Sequence, residues 1–414
     1  MAASSATSGR QLARGGAALA VAMAVANLCG YAFNVGATRL LGPSRYGALG
    51  ALLGLVLIFN VVALGIQAVV ARRLAGEEPG DVPPGIVRGG LALALVVGMA
   101  AVAGAPAVTH WLHLASMRPA VLLGLAMIPL TVFGLLQGIL QGAHRFAALG
   151  GVYVIAALGK VGGGLAGVYF DRTVAGAVLG LCLGSAVAAA ACWLWLRPPL
   201  SWSGGDTLMG ETLHATHAFL AFFVLTNVDV LLARHYLDAE PAGLYAAGAV
   251  IAKGAFWLPQ FVPVLAFPRM ADAKRRSSVI RTSFLVVAAA GMAVSLICFV
   301  FGGLVVRAVG GPSYAGLAGD AWLFAALGGS FACCQLLLYG RLAGHDRLAA
   351  LAVWAATAGL AAVVALARHD SLQMVVTTAL VSACLLVAAG VAAQLRRDGG
   401  ASEAPASVPA TPVS

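Results

Sequence analysis

The sequence predicts an all-α polytopic membrane protein with about twelve transmembrane helices, and three observations carry that expectation. Hydrophobic residues make up 61% of the 414, charged residues only 10%, and mean hydropathy is +0.94, which excludes a water-soluble globular chain. Apolar stretches recur along the chain, each supplying the roughly 20 residues that a membrane helix needs. The basic residues sort to alternate loops, the pattern of a chain that crosses a bilayer repeatedly.

The first stretch, 15 to 38, follows Arg10 and Arg14 and imitates a secretory leader. It exceeds the roughly 7 to 15 residues of a leader's apolar core, and further stretches follow, so an uncleaved first span is expected. The next stretches lie at 47 to 70, 86 to 108, 119 to 141, 147 to 168 and 173 to 196. A second set lies at 214 to 234, 242 to 267, 279 to 302, 316 to 338, 348 to 367 and 372 to 394. Connections are short, the longest about 17 residues, which leaves no place for an inserted catalytic domain. The tail "GGASEAPASVPATPVS" is small, polar and Pro-rich and is expected to be disordered. Cys29, Cys182, Cys192, Cys298, Cys333, Cys334 and Cys384 all fall within spans, so neither a disulfide framework nor a metal site is implied.

The formal net charge of +10 marks one side of a membrane and not a nucleic-acid surface. With the N-terminus on the cytoplasmic side, the tails and inward loops hold Arg10, Arg14, Arg72, Arg73, Arg88, Arg145, Arg197, Arg269, Lys274, Arg275, Arg276, Arg281, Arg341, Arg347, Arg396 and Arg397. The opposite loops hold only Arg39, Arg45, Arg118, Arg172, Arg234, Arg307 and Arg368. Both termini are therefore expected in the cytoplasm.

An internal repeat runs through this frame. Arg39 matches Arg234, "RLA" at 73 to 75 matches "RMA" at 269 to 271, Gln137 matches Gln335, and "HRFAAL" at 144 to 149 echoes "HDRLAAL" at 345 to 351. Matches in order at nearly one offset predict two pseudo-symmetric six-helix bundles around a central cavity, 1–200 and 201–395, followed by a disordered cytoplasmic tail over 396–414. Six is even, so both bundles cross in the same sense about an axis along the membrane normal, a layout common in secondary transporters.

Residues 39 to 47, "RLLGPSRYG", resemble the R-x-LGP-x-x-YG turn of the polysaccharide flippases, the exporters of O-antigen, capsule and teichoic-acid lipids. "LLQGILQGAHRF" at 135 to 146, "NVDVLLARHYLDAEPAGLY" at 227 to 245 and "VPVLAFPRMA" at 262 to 271 are similar to further segments of that family. Gly42-Pro43 also has a plain physical reading as a tight turn, and Tyr46 suits the membrane interface. The resemblance implies two bundles that open alternately to either side of a bacterial plasma membrane. It implies a polyprenyl-pyrophosphate-linked oligosaccharide as cargo, other polysaccharide-assembly proteins as partners, and basic cavity residues, Arg39 among them, that meet the pyrophosphate.

An independent argument starts from the charges within spans. A lysine at bilayer depth costs at least ~2.5 kcal/mol and must find protein or water. Lys160 lies mid-span in "IAALGKVGGGLAGV", one position off a stripe of Gly159, Gly163 and Gly167 that permits close helix packing. Lys253 lies mid-span in "AVIAKGAFW", and Asp229 lies within the seventh span. The repeat-related positions, near Ala361 and Ile58, are apolar, so neither lysine is a relic of duplication. Two ammonium groups facing a wet cavity suit a pyrophosphate; the alternative is an internal ion pair of Asp229 with Lys253 or Lys160. For Asp229 that pairing leads, and coupling to a proton or sodium ion is second.

Polar residues on helical faces extend the candidate cavity. Asn60 and Gln67 are seven apart, and Gln137 and Gln141 four apart. They suit sugar hydroxyls, or equally interhelical hydrogen bonds averaging ~0.6 kcal/mol. "ALGKV" lacks the remainder of a phosphate loop, so no nucleotide cofactor is expected. The loop after the second span lacks the basic motif of major-facilitator carriers. A cation-coupled multidrug or small-metabolite antiporter of the same superfamily remains the competing transport reading. An enzyme is disfavoured because the outward acids, Asp171, Asp238, Glu240 and Asp370, are scattered.

Overall fold

Hydrocarbon offers no partner for a backbone N–H or C=O, so a membrane chain closes those bonds within helices. The computed structural model describes residues 2–75, 82–83, 85–199, 208–260, 262, 276–342 and 347–402, and every regular element among them is helical. Helix α1 (Ala2–Leu74) is bent at Gly42, whose φ of 71° is open to glycine without a Cβ clash, and at Pro43. This junction divides α1 into two membrane arms, 15–41 and 43–74. The span expected at 86 to 108 is two helices, α2 (Ile86–Ala103) and α3 (Ala105–Trp111), separated at Gly104 with Pro106 opening the second. Helices α4 (Arg118–Gly142), α5 (Phe146–Asp171) and α6 (Val174–Leu196) complete the N-terminal half.

The C-terminal half follows with α7 (Leu208–Tyr236), α8 (Ala239–Trp257), a 3-10 turn (Leu258–Gln260), α9 (Arg276–Val309) and a second 3-10 turn (Pro312–Leu317). Helices α10 (Ala321–Leu342), α11 (Arg347–Ala367) and α12 (Leu372–Ser402) close it. Helix α12 runs to Ser402, so 396–402 are helical where a disordered tail is expected: extending a formed helix costs little even through polar residues. Residues 403–414 lie outside the described residues, as do Arg269, Lys274, Arg275 and most of the "VPVLAFPRMA" segment.

Among the described residues ten helices are long and apolar enough to cross a membrane, and the first, 15–74, is long enough for its two arms to cross separately. Helix α8 is not among the ten. It carries Glu240 and Lys253 but buries eleven of its 19 residues, so protein shields what lipid would reject. Within the N-terminal half, α1 packs on α4 and α5, α4 on α2 and α6, and α5 on α6; within the C-terminal half, α10 packs on α8, α9 and α12, and α11 on α7 and α12. The halves meet where α1 lies against α7 and α8. The α5–α6 pair is the tightest, because Gly159, Gly163 and Gly167 face Gly184, Gly180 and Gly176 so closely that added Cβ atoms would overlap the opposing backbone.

The repeat is written into the hydrogen bonds. Asn34 and Asp229 stand five residues before Arg39 and Arg234 respectively. Tyr46 donates its hydroxyl to Asn34 Oδ1 at 2.9 Å, and Tyr245 donates to Asp229 Oδ2 at 2.9 Å. Both tyrosines are fully buried, so each half braces its first hairpin with the same bond. The arginines are reciprocal too. Arg39 Nη2 donates to Ala308 O at 2.6 Å at the end of α9, while Arg234 donates from Nε to Leu112 O and from Nη2 to His113 O, both at 3.0 Å, just past α3. Each half thus caps the orphan C-terminal carbonyls of the other half's third span, where a cation also suits the helix dipole.

We call the side of Gly42, Trp111, Tyr236 and Val309 the far face, and the side of Leu74, Gly142 and Leu208 the near face. At the far face Gly47 and Gly243 pack backbone on backbone, Thr38 Oγ1 donates to Val309 O at 2.8 Å, and Tyr314 OH donates to Thr38 O at 3.2 Å. At the near face Glu211 bridges Arg72 at 2.9 Å and Arg73 at 2.8 Å. The Arg73 hydrogen bond, helped by both arginine charges, holds the Glu211 carboxyl below the usual carboxylate range.

Candidate functional site

Close packing of α4 on the second arm of α1 assembles the polar residues of the N-terminal half. Gly138 lies so near that a Cβ there would stand 2.8 Å from Gln67 O, and Gly142 is equally tight against Leu74 and Ala71. This sets Gln141 beside Gln67, whose Nε2 donates to Gln141 Oε1 at 2.8 Å and to the Tyr153 hydroxyl at 3.3 Å. Tyr153 is half-buried, and Lys160 follows it by two helical turns on the same face of α5. Asn60 precedes Gln67 by the same interval on α1. Among the described residues no protein hydrogen bond or ion pair reaches the side chains of Lys160, Asn60 or Gln137.

The C-terminal half is built differently. Asp229 is buried, takes the Tyr245 hydroxyl on Oδ2, and leaves Oδ1 without a protein partner. Lys253 acts electrostatically on Asp229 without reaching ion-pair distance. Asn227, two residues earlier, donates to Phe223 O at 2.9 Å and also leaves its Oδ1 unpaired.

Both lysine-bearing helices lie against the first arm of α1, and that arm measures their depth. Gly150 of α5 packs on Ala22 and Gly164 on Phe33, which sets Lys160 level with about Gly30 at 1.5 Å rise per residue. Gly254, the neighbour of Lys253, packs on Tyr31 at 3.5 Å. The two lysines therefore sit at one depth, about midway along that arm. Arg39 does not join them: it lies at the far face, where the nearest acceptors are the carbonyls it caps.

The sequence matches the family described as "Polysaccharide biosynthesis protein" over residues 12–258. The chain belongs to that family. The match covers the N-terminal half from residue 12 onward and the first two helices of the other, so Lys160, Asp229 and Lys253 all lie within the polysaccharide biosynthesis protein region. No curated protein matches the sequence significantly. Among solved structures, the fold is similar to "Inward-facing conformation of a multidrug resistance MATE family transporter of the MOP superfamily", with TM-score 0.73, 13% identity, and 91% of this chain and 96% of that one covered. It is similar to "Lipid II flippase MurJ, inward closed conformation", with TM-score 0.72, 9% identity, and 91% and 87% covered. An outward-facing MATE family transporter superposes less well, at TM-score 0.63 with 13% identity over 93% and 95%. The architecture of this family member is thus the MOP-superfamily fold.

Sequence reasoning missed Tyr153, Tyr245 and Asn34. Tyr153 was legible as the residue seven before Lys160, and Tyr245 as the counterpart of Tyr46. Asn34 carries no pattern of its own, since only its bond to Tyr46 distinguishes it from any asparagine in a span.

Proposed function

We propose that this protein carries a polyprenyl-pyrophosphate-linked oligosaccharide from the inner to the outer leaflet of a bacterial plasma membrane, for cell-surface polysaccharide synthesis. The observation that carries this reading is the pair of level lysines, one per half. Lys160 has no acid partner among the described residues, and Lys253 interacts with Asp229 without forming an ion pair. A buried cation without a protein counter-charge suits an anionic ligand. Gln67, Gln141 and Tyr153, with Asn60 and Gln137, offer donors and acceptors to sugar hydroxyls on the side of Lys160. The family description and the similarity to a structure titled a lipid II flippase support a lipid-linked cargo.

In this reading the near face is cytoplasmic, as the positive-inside rule requires, and the polyprenyl tail stays in lipid. The space between the halves opens first to the near face, then to the far face as the α1–α8 seam parts. Better superposition on the inward-facing relative supports assigning the present conformation to the first of these states. No covalent step is involved. The second reading, a cation-coupled antiporter of drugs or small metabolites, draws on Asp229, whose unpaired Oδ1 is suited to hold a proton or a sodium ion.

Mass spectrometry of polyprenyl-linked sugars in cells lacking the protein tests the proposal. Accumulation relieved by the native chain but not by Lys160→Ala with Lys253→Ala supports it. Absence of accumulation in a strain with no second exporter overturns it and leaves the antiport reading.

A further inference from the structure

At the far face the seam between the halves ends in a column of rings. Trp111 closes α3 and His113 lies in the turn after it; His235 and Tyr236 close α7; His369 lies in the turn between α11 and α12. His235 stacks on Trp111 with centroids 4.8 Å apart and planes at 10°, and on His113 at 5.2 Å and 17°. Tyr236 meets His235 edge-on at 4.6 Å and His369 at 4.8 Å. His235 Nδ1 lies 2.7 Å from Trp111 O. A carbonyl only accepts, so Nδ1 carries the hydrogen and Nε2 is the basic atom of the neutral ring. His113 has φ 48°, a region costly for a residue with a side chain, and Arg234 holds it there by donating to its carbonyl.

The groups acting on His113 are His235 and Arg234 from α7 and His110 from the last turn of α3. Among the described residues no carboxylate pairs with any of these imidazoles, and no three metal-ligating side chains converge. His235 is fixed by its bond to the Trp111 carbonyl and its stack on the indole face. A proton on His113 adds a cation beside the Arg234 guanidinium with no counter-charge among the described residues. The His113 ring is exposed, and partial desolvation in the stack first, then His235, Arg234 and His110, hold its imidazole below its usual range.

We propose that this column is a proton-operated latch: neutral His113 keeps the far face closed, and its protonation releases α3 from α7 and favours opening of that face. Closure stacks His113 on His235 beside Arg234 and holds it below the ordinary imidazole value of about 6.5, and opening parts it from both. The open state therefore binds more protons and gains population as pH falls below about 6.5, with the gain complete below the closed-state value. The latch rests on the alternating-access reading but not on the identity of the cargo, and its test needs no cargo.

The test uses the full chain in lipid nanodiscs, with the seven native cysteines replaced by alanine. Spin labels are placed at Met117→Cys and Asp370→Cys, exposed far-face positions of the two halves. Distance distributions are recorded by electron–electron resonance from about pH 8 to about pH 5, the range in which imidazole titrates. The longer-distance population is expected to grow as pH falls, to stop responding in His113→Gln, and to respond as before in His369→Gln. Identical distributions at both ends of the range overturn the latch, whatever the variants do. A shift that persists in His113→Gln, or one lost only in His369→Gln, also overturns it.

Discussion

The two halves share one brace but differ in its chemistry. In the N-terminal half Tyr46 donates to Asn34, a neutral amide that itself donates to Gly30 O at 2.8 Å. In the C-terminal half Tyr245 donates to Asp229, an acid whose second oxygen has no protein partner. The same hairpin thus tolerates a neutral residue, and the C-terminal copy keeps an ionisable one. Their last helix pairs differ as well: α5 and α6 interlock glycine on glycine, whereas Gly359 of α11 faces open space.

The helix pairs predict the largest effect. Gly180→Leu drives a side chain into the α5 backbone and should cost about 1–3 kcal/mol or more, read as a lower thermal unfolding midpoint. Gly359→Leu should stay within about 0.5 kcal/mol. Equal losses would show that the glycine stripe is not what holds α5 to α6.

The tyrosines come next. Tyr245→Phe leaves Asp229 without its hydroxyl donor and should cost about 1.5–3 kcal/mol, against about 0.5–1.5 kcal/mol for Tyr46→Phe. The difference is measured by parallel denaturation of the two variants. Asp229→Asn installs the residue of the N-terminal copy, so the fold should survive within about 1 kcal/mol. Sugar-lipid accumulation in that variant then separates a brace, which leaves transport intact, from a coupling site, which does not.

The smallest effect belongs to the near face. Glu211 is held below its usual range, so the stability it contributes is full above its ordinary value near pH 4.3 and is lost as pH falls through the lowered one. Glu211→Gln should lower the unfolding midpoint slightly at neutral pH. At acid pH the difference from the native chain should vanish.

How much of this was legible follows from what each feature needs. Apolar length and loop charge report on the solvent around a segment, so the sequence by itself determined the helical membrane fold and the division at Gly42-Pro43. The glycine stripe beside Lys160 likewise announced close packing, because small residues every four positions leave one helix face bare. Arg39 shows the limit. Its match to Arg234 was visible, but a cavity cation and a clasp on the opposite half look alike in sequence, since the carbonyls of α9 come from some 270 residues away. Only the tertiary structure decided that Arg39 caps a helix, that Lys160 and Lys253 share one depth, and that His113 meets His235. Each depends on how separate helices register against one another, which side-chain packing sets and no local pattern records.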